Sequence, residues 1–347
     1  MGIFVDIEKN LGDFQLKVRF AAENETLGIL GASGCGKTMT LKCIAGIEKP
    51  DRGTIILGNR VLYDSEKKIN LPPQKRKTGL LFQNYALFPN MTVEQNIQAG
   101  VRKKKEKKEQ KDAVHQMMEA FELTAYAKQY PSQLSGGQQQ RTALARVLIS
   151  EPEILLLDEP FSALDSHLRL KTEQEVKKVI ENFGKTVLIV SHDRDEVFRM
   201  SEKIALMNRG GIDHIGSKKS VFADPKTKEG TILTGCKNIS AVKAVGEREI
   251  LAVDWGIRLK VENDPSQVRY LGIQAHDIQL GVGENTIRCE ILQVVENPFS
   301  YTVFLRAVDQ KDASLLLWEA DKKEWTPGDK KWIDIQILPE RMILLKE

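Results

Sequence analysis

No apolar stretch in the 347 residues approaches the ~20 consecutive residues that a membrane helix needs, so a helical membrane span is not expected. Net charge is small, +3, which argues against holding nucleic acid by a general basic field. Only four cysteines occur, Cys35, Cys43, Cys236 and Cys289, and no two make a CxxC pair. They read as reduced thiols of an intracellular protein, not as a disulfide framework. The first residues, Met1-Gly2-Ile3-Phe4-Val5-Asp6, are acidic where a signal peptide is basic and carry Asp6 where a myristoylation motif has Ser or Thr. A membrane location is therefore expected only through a partner.

What is present points to two domains. Apolar alternation over Ile3–Phe20 predicts strands, and Thr26–Leu30 predicts a buried strand entering a glycine-rich loop. A helix is expected over Lys37–Ala45, stopped by Gly46. Strands are expected at Gly53–Leu57, Gly79–Phe82, Ile154–Leu157, Val187–Val190 and Lys203–Met207, with helices at Gln138–Ser150, Leu170–Phe183 and Asp195–Met200. That alternation predicts an α/β domain with a largely parallel sheet over residues 1–230. The stretch from Val93 to about Gln129 reads as helical, and a helical subdomain is expected at about 90–150. Its lysine- and glutamate-rich run, Arg102–Lys111, reads as a solvated helix face. From 231 to 347, short β-prone runs such as Arg258–Val261, Ile287–Val295, Tyr301–Ala307, Ser314–Trp318 and Trp332–Ile337 predict a small β barrel or sandwich.

Three segments carry chemistry. Gly31-Ala32-Ser33-Gly34-Cys35-Gly36-Lys37-Thr38 matches GxxxxGK[ST] between a strand and a helix. Its backbone N–H groups would cradle phosphate oxygens, with Lys37 reaching the β and γ phosphates and Thr38 ligating Mg²⁺. Asp158 and Glu159 follow the apolar strand Ile154–Leu157. Asp158 is expected to hold Mg²⁺, and Glu159 to polarise the attacking water. Leu134-Ser135-Gly136-Gly137-Gln138 opens a helix and exposes a second anion-binding end. One nucleotide does not need two phosphate sites on one chain. Two copies arranged head to tail do.

These residues resemble the ATP-binding-cassette family, whose signature is LSGGQ. The resemblance covers roughly residues 1–230 and implies a P-loop NTPase domain with an inserted helical subdomain, followed by a small all-β, OB-like regulatory domain. It implies ATP as ligand and Mg²⁺ on Thr38, Asp158 and Gln83, the glutamine-loop residue after Gly79–Phe82. It also implies a loop at Ser162-Ala163-Leu164-Asp165 that links the two sites of a homodimer, and a switch histidine at His192. Members often stack an aromatic residue on adenine. Phe14 is the nearest aromatic, and a core role for it stays open.

Phe82-Gln83, Leu87-Phe88-Pro89, Met91-Thr92-Val93 and Asn96-Ile97 are similar to prokaryotic importer ATPases. Leu57–Asp64 and Leu71–Arg76 look like the molybdate branch, with sulfate, sugar or iron import as alternatives. The implied partners are transmembrane permease subunits and, through them, an extracytoplasmic substrate-binding protein, at the cytoplasmic face of the membrane. No nucleic-acid partner is expected. The β domain is expected either to bind the transported oxyanion or to stabilise the homodimer, although Thr234-Gly235-Cys236-Lys237-Asn238 and Leu271–Ile278 depart from the family's tail motifs. A nucleic-acid-linked ATPase and a non-hydrolysing ATP-gated regulator are the rival readings.

Overall fold

The computed structural model describes residues 2–101, 106–162, 164, 166–308, 310–328 and 330–346, with backbone alone at 166–168. The chain divides into two compact units, Met1–Lys218 and Lys219–Glu347. This division precedes the expected 230/231 boundary. Helix Lys228–Leu233 packs on strand Tyr270–Ile273 of the second unit, where a Cβ on Gly272 would lie 2.9 Å from Thr231.

The first unit is built on a six-stranded sheet in the order Gly211–Ser217, Lys203–Asn208, Thr26–Gly31, Val187–Ser191, Ile154–Asp158, Thr78–Leu81. All pairs are parallel except the first. Ile154–Asp158 and Val187–Ser191 are buried at every position, as continuous apolar strands covered on both faces should be. A second, antiparallel sheet begins with Gly2–Asn10 paired to Gln15–Glu23, whose strict alternation puts Leu16, Val18 and Phe20 inward. Together with Ile3, Val5 and Ile7 these residues share a core with Leu41 and Ile44 of helix Lys37–Ala45. Gly53 sits where a Cβ would come within 2.0 Å of the Asp6 carbonyl and has φ 104°, so the strand pairing there demands glycine.

The helix expected from Val93 to Gln129 is interrupted. Val93–Gln98 starts on a Thr92/Gln95 capping box and stops before Gly100, where a Cβ would lie 2.1 Å from the Arg146 carbonyl. The chain then resumes as Lys107–Ala120 and ends in short turns. Arg102 to Lys105 of the basic run lie outside the described residues. Helix Gly136–Leu148 completes the helical region.

The second unit holds two five-stranded antiparallel sheets around one core that includes Trp255, Leu271, Cys289, Leu305 and Trp318. The five runs predicted there are strands. All four cysteines are free and buried, and burial pushes the Cys43 and Cys289 thiols up to about 12.

Fully buried Arg76 closes the back of helix Lys37–Ala45. Its Nη1 donates to the carbonyls of Cys43 (2.7 Å) and Ile44 (2.9 Å), its Nε to the Leu71 carbonyl, and its Nη2 to Asn70. A cation at a helix C-terminus also offsets the helix dipole. Arg76→Met is expected to lower stability by about 2–4 kcal/mol, because it orphans several buried acceptors, and a denaturant titration checks this.

Helix Arg194–Met200 buries Glu196, whose carboxyl is pushed up to about 8, chiefly by burial and further by Asp193 and Glu173. A folded-state value above the unfolded one adds stability below about pH 4.5 that is lost as pH rises to about 8. Glu196→Gln is therefore expected to be more stable than the parent at pH 9, with the difference vanishing near pH 4.5, as read by melting curves across that range.

Candidate functional site

Parallel register sets the site. Leu30 lies beside Ser191, and Asp158 beside Val190, so the phosphate loop, the Asp158-Glu159 corner and His192 leave three adjacent strands at the same edge. Gly34 (φ 81°) and Gly36 (φ 110°) adopt left-handed backbone and turn the loop back on itself. A Cβ on Gly36 would come within 2.7 Å of Leu16, so packing as well as φ requires glycine there. Gly36 is also the N-cap of helix Lys37–Ala45 and supplies no capping side chain. The first N–H groups of that helix therefore remain available to an anion.

Lys37 is buried, and its Nζ donates to the carbonyls of Gly31 (2.8 Å) and Ala32 (3.0 Å). Thr38 Oγ1 donates to Asp158 Oδ1 at 2.8 Å. Burial raises the Asp158 carboxyl above its ordinary value, with the Thr38 hydrogen bond opposing. Two hard oxygen donors side by side fit Mg²⁺, which takes few protein ligands and completes its shell with phosphate and water.

Glu159 turns out of the strand with φ 44°. Its Oε1 lies 3.1 Å from His192 Nδ1 and its Oε2 accepts from Gln83 Nε2 at 3.2 Å. Gln83, Glu159 and His192, far apart in sequence, thus meet in one group beside the Thr38–Asp158 pair.

Ser135 caps helix Gly136–Leu148. Its Oγ accepts from Gln138 N (3.4 Å), and its own N donates to Gln138 Oε1 (2.8 Å). The nearest atom to a Cβ on Gly137 would be Thr172 Oγ1 at 3.7 Å, so internal packing does not require that glycine. Among the described residues, no hydrogen bond or ion pair joins Ser135, Gly136, Gly137 or Gln138 to the phosphate loop of the same chain. Asp165 and Ala163 lie outside the described residues. Their neighbour Ser162 donates to the Glu159 carbonyl at 3.0 Å.

Phe14 is half-buried and lines an open cleft of about 680 Å³ with Ala32, Ser33, Gly34 and Cys35. It also packs on the core. The core role is thus filled, and the cleft position puts the ring next to the phosphate loop.

Several contacts escaped sequence reasoning. Arg146 donates to the Tyr85 carbonyl (3.0 Å) and stacks over Phe88, tying helix Gly136–Leu148 to the segment after Gln83. Tyr85 (φ 59°) and Ala86 (φ 44°) hold strained backbone in that segment. Nothing in the sequence marks these long-range contacts. Asp193 could have been read as the N-cap of the helix after His192, since an aspartate ahead of a helical run is a start signal.

Elsewhere, Arg60 of the stretch that suggested molybdate, and Asn238 of the tail segment that departs from the family's motif, are engaged in scaffolding. Arg60 donates to the carbonyls of Lys75 and Arg76 and to Glu153, and Asn238 pairs in both directions with the Leu317 backbone.

The ABC transporter family model matches residues 15–162. A spermidine/putrescine import ATP-binding protein of Bacillus cereus is 44% identical over 218 residues, which cover 62% of this chain and 65% of that protein. A trehalose/maltose import ATP-binding protein of Thermococcus litoralis is 35% identical over 315 residues, with 84% of each chain covered. Among solved structures, the dimeric post-hydrolysis cassette MJ0796 bound to ADP and Pi is 30% identical, with a TM-score of 0.53, covering 63% of this chain and 99% of that one. The chain thus spans just under two thirds of the Bacillus relative's length. With identity of this degree across most of the Thermococcus relative, and the cassette fold in the first unit, the chain belongs to the ABC transporter family of ATPases.

Proposed function

We propose that this chain is the ATP-hydrolysing subunit of an importer and works as a pair of copies at the cytoplasmic face of a membrane, bound to permease subunits that receive solute from an extracytoplasmic binding protein. The observation that carries the reading is the Glu159 carboxylate held between Gln83 and His192, beside the Thr38–Asp158 pair and the open phosphate loop.

In this reading the N–H groups from Gly31 to Thr38 receive the phosphates, and Lys37 exchanges its two carbonyl partners for phosphate oxygens. Thr38, Asp158 and Gln83 hold Mg²⁺, which when bound neutralises charge building on the phosphate oxygens. Glu159 takes the proton of the attacking water, with its oxygens oriented by Gln83 and His192. Ser135, Gly136, Gly137 and Gln138 of one copy close over the nucleotide of the other, and Asp165 lies where the two sites communicate. ATP then acts as a ligand that favours the closed pair, and its cleavage releases it.

The molybdate reading gains no support from the relatives' names, which concern polyamines and trehalose/maltose. Arg60, in the stretch that suggested it, is engaged in scaffold contacts. An organic solute is the better-supported cargo. The Thermococcus match covers 84% of this chain, more than the first unit holds, so it extends into the β unit. This favours the sugar alternative over sulfate or iron. Uptake by the reconstituted transporter of radiolabelled maltose, putrescine and molybdate in parallel separates these cargoes.

Glu159→Gln is expected to bind ATP, remain paired in its presence and hydrolyse ~10²–10⁴-fold more slowly. Near-normal turnover would remove Glu159 from its role. Ser135→Arg is expected to leave ATP affinity of the single chain unchanged while abolishing ATP-dependent pairing on a sizing column. A variant that still pairs there would contradict the two-copy site.

A further inference from the structure

Helix Ser166–Phe183 touches both parts of the proposed site. On one side, Glu175 faces Arg141 of the signature helix at 3.7 Å, and Thr172 is the residue that a Cβ on Gly137, at the start of that helix, would meet first. On the other side, Arg169 Nη1 donates to Asp193 Oδ2 at 3.0 Å, and Glu173 takes Arg199 in a two-pronged pair at 2.7 and 2.9 Å. Arg169 and Glu173 are four residues apart, on one face of the helix. The helix is therefore fastened at two points to the segment that follows His192.

Asp193 is held from several directions. Its Oδ1 accepts from the N–H groups of Asp195 and Glu196, both at 3.0 Å, and its own N–H donates to Ser191 Oγ at 3.0 Å. Arg169 has a buried Nε with no hydrogen-bond partner. Among the described residues, Asp193 is the one side chain that its guanidinium bonds, and a buried donor is left unsatisfied. His192, the residue before Asp193, places Nδ1 3.1 Å from Glu159.

We propose that the Arg169–Asp193 ion pair is a positioning device through which helix Ser166–Phe183 passes the state of the signature end to His192 and Glu159. The inference rests on the function proposed above. A shift of the signature helix, when it meets the other copy's nucleotide, displaces Thr172 and with it Arg169. Asp193 follows, and its neighbour His192 moves relative to Glu159. Each copy's catalytic group is then set by whether its own signature end is engaged.

The test uses the full chain and three variants. Asp193→Asn keeps an acceptor for the helix cap and removes the charge. Arg169→Met removes the donor, and Arg169→Lys restores a cation. Both Asp193→Asn and Arg169→Met are expected to lower kcat about tenfold, the scale of a small misplacement of reacting groups, with the KM for ATP changed less than about twofold. Arg169→Lys is expected to recover most of the loss. Melting temperature is expected to stay within about 2 °C, because a half-exposed ion pair contributes little to stability. Without nucleotide, the ring-nitrogen resonances of His192 are expected to move in both charge-removing variants. Unchanged kcat and unchanged His192 resonances in Arg169→Met would overturn the proposal. So would a fall in kcat that tracks a fall in melting temperature and is not rescued by lysine. A parent chain without any ATPase activity would instead defeat the proposed function, while the His192 resonances still report on the pair.

Discussion

Everything at the site depends on the register of three adjacent parallel strands. Thr26–Gly31, Val187–Ser191 and Ile154–Asp158 end level with one another, because Leu30 is opposite Ser191 and Val190 opposite Asp158. A slip of one residue would turn every side chain to the opposite face. It would also part Thr38 from Asp158, now 2.8 Å apart and joined by a side-chain hydrogen bond. The strands can hold this register because they are buried throughout and largely apolar, so a slip is resisted along their whole length.

The local chemistry answers to that frame. Burial makes the Asp158 carboxyl costly to ionise, and the Thr38 hydroxyl partly offsets the cost. A cation would complete the offset. Lys37, equally buried, rests meanwhile on two backbone carbonyls. Both charged groups of the site are thus partly satisfied by the protein's own atoms. At the other end of the phosphate helix, Arg76 fixes the last carbonyls and the turn from Asn70 to Leu71. The helix is therefore anchored at its rear while its front remains open.

Much of this was legible in the sequence, for physical reasons. The phosphate loop could be read because glycine is required where φ is positive and packing is close, as at Gly36. Strand ends could be read because a carboxylate breaks an apolar run, as at Asp158. The interruption after Gln98 had a signal in Gly100, a glycine that can stop a helix. Its long-range reason could not be read, since it is the Arg146 carbonyl, remote in sequence, that leaves no room for a Cβ there. The same holds for Arg76 and for the Arg169–Asp193 pair, whose partners are remote in sequence. The cargo could not be read either. In the stretch that pointed to molybdate, Arg60 is tied to the Lys75 and Arg76 carbonyls and to Glu153, contacts that carry no information about the solute.

The Ser135 hydroxyl has a consequence of its own. As helix cap it uses only an oxygen lone pair, accepting from Gln138 N, and among the described residues no hydrogen bond takes up its hydrogen. A hydroxyl can accept and donate at once. An incoming anion can therefore be greeted by that hydrogen without the first helical turn unravelling. In the two-copy arrangement proposed above, docking and undocking of that anion would leave the helix end wound.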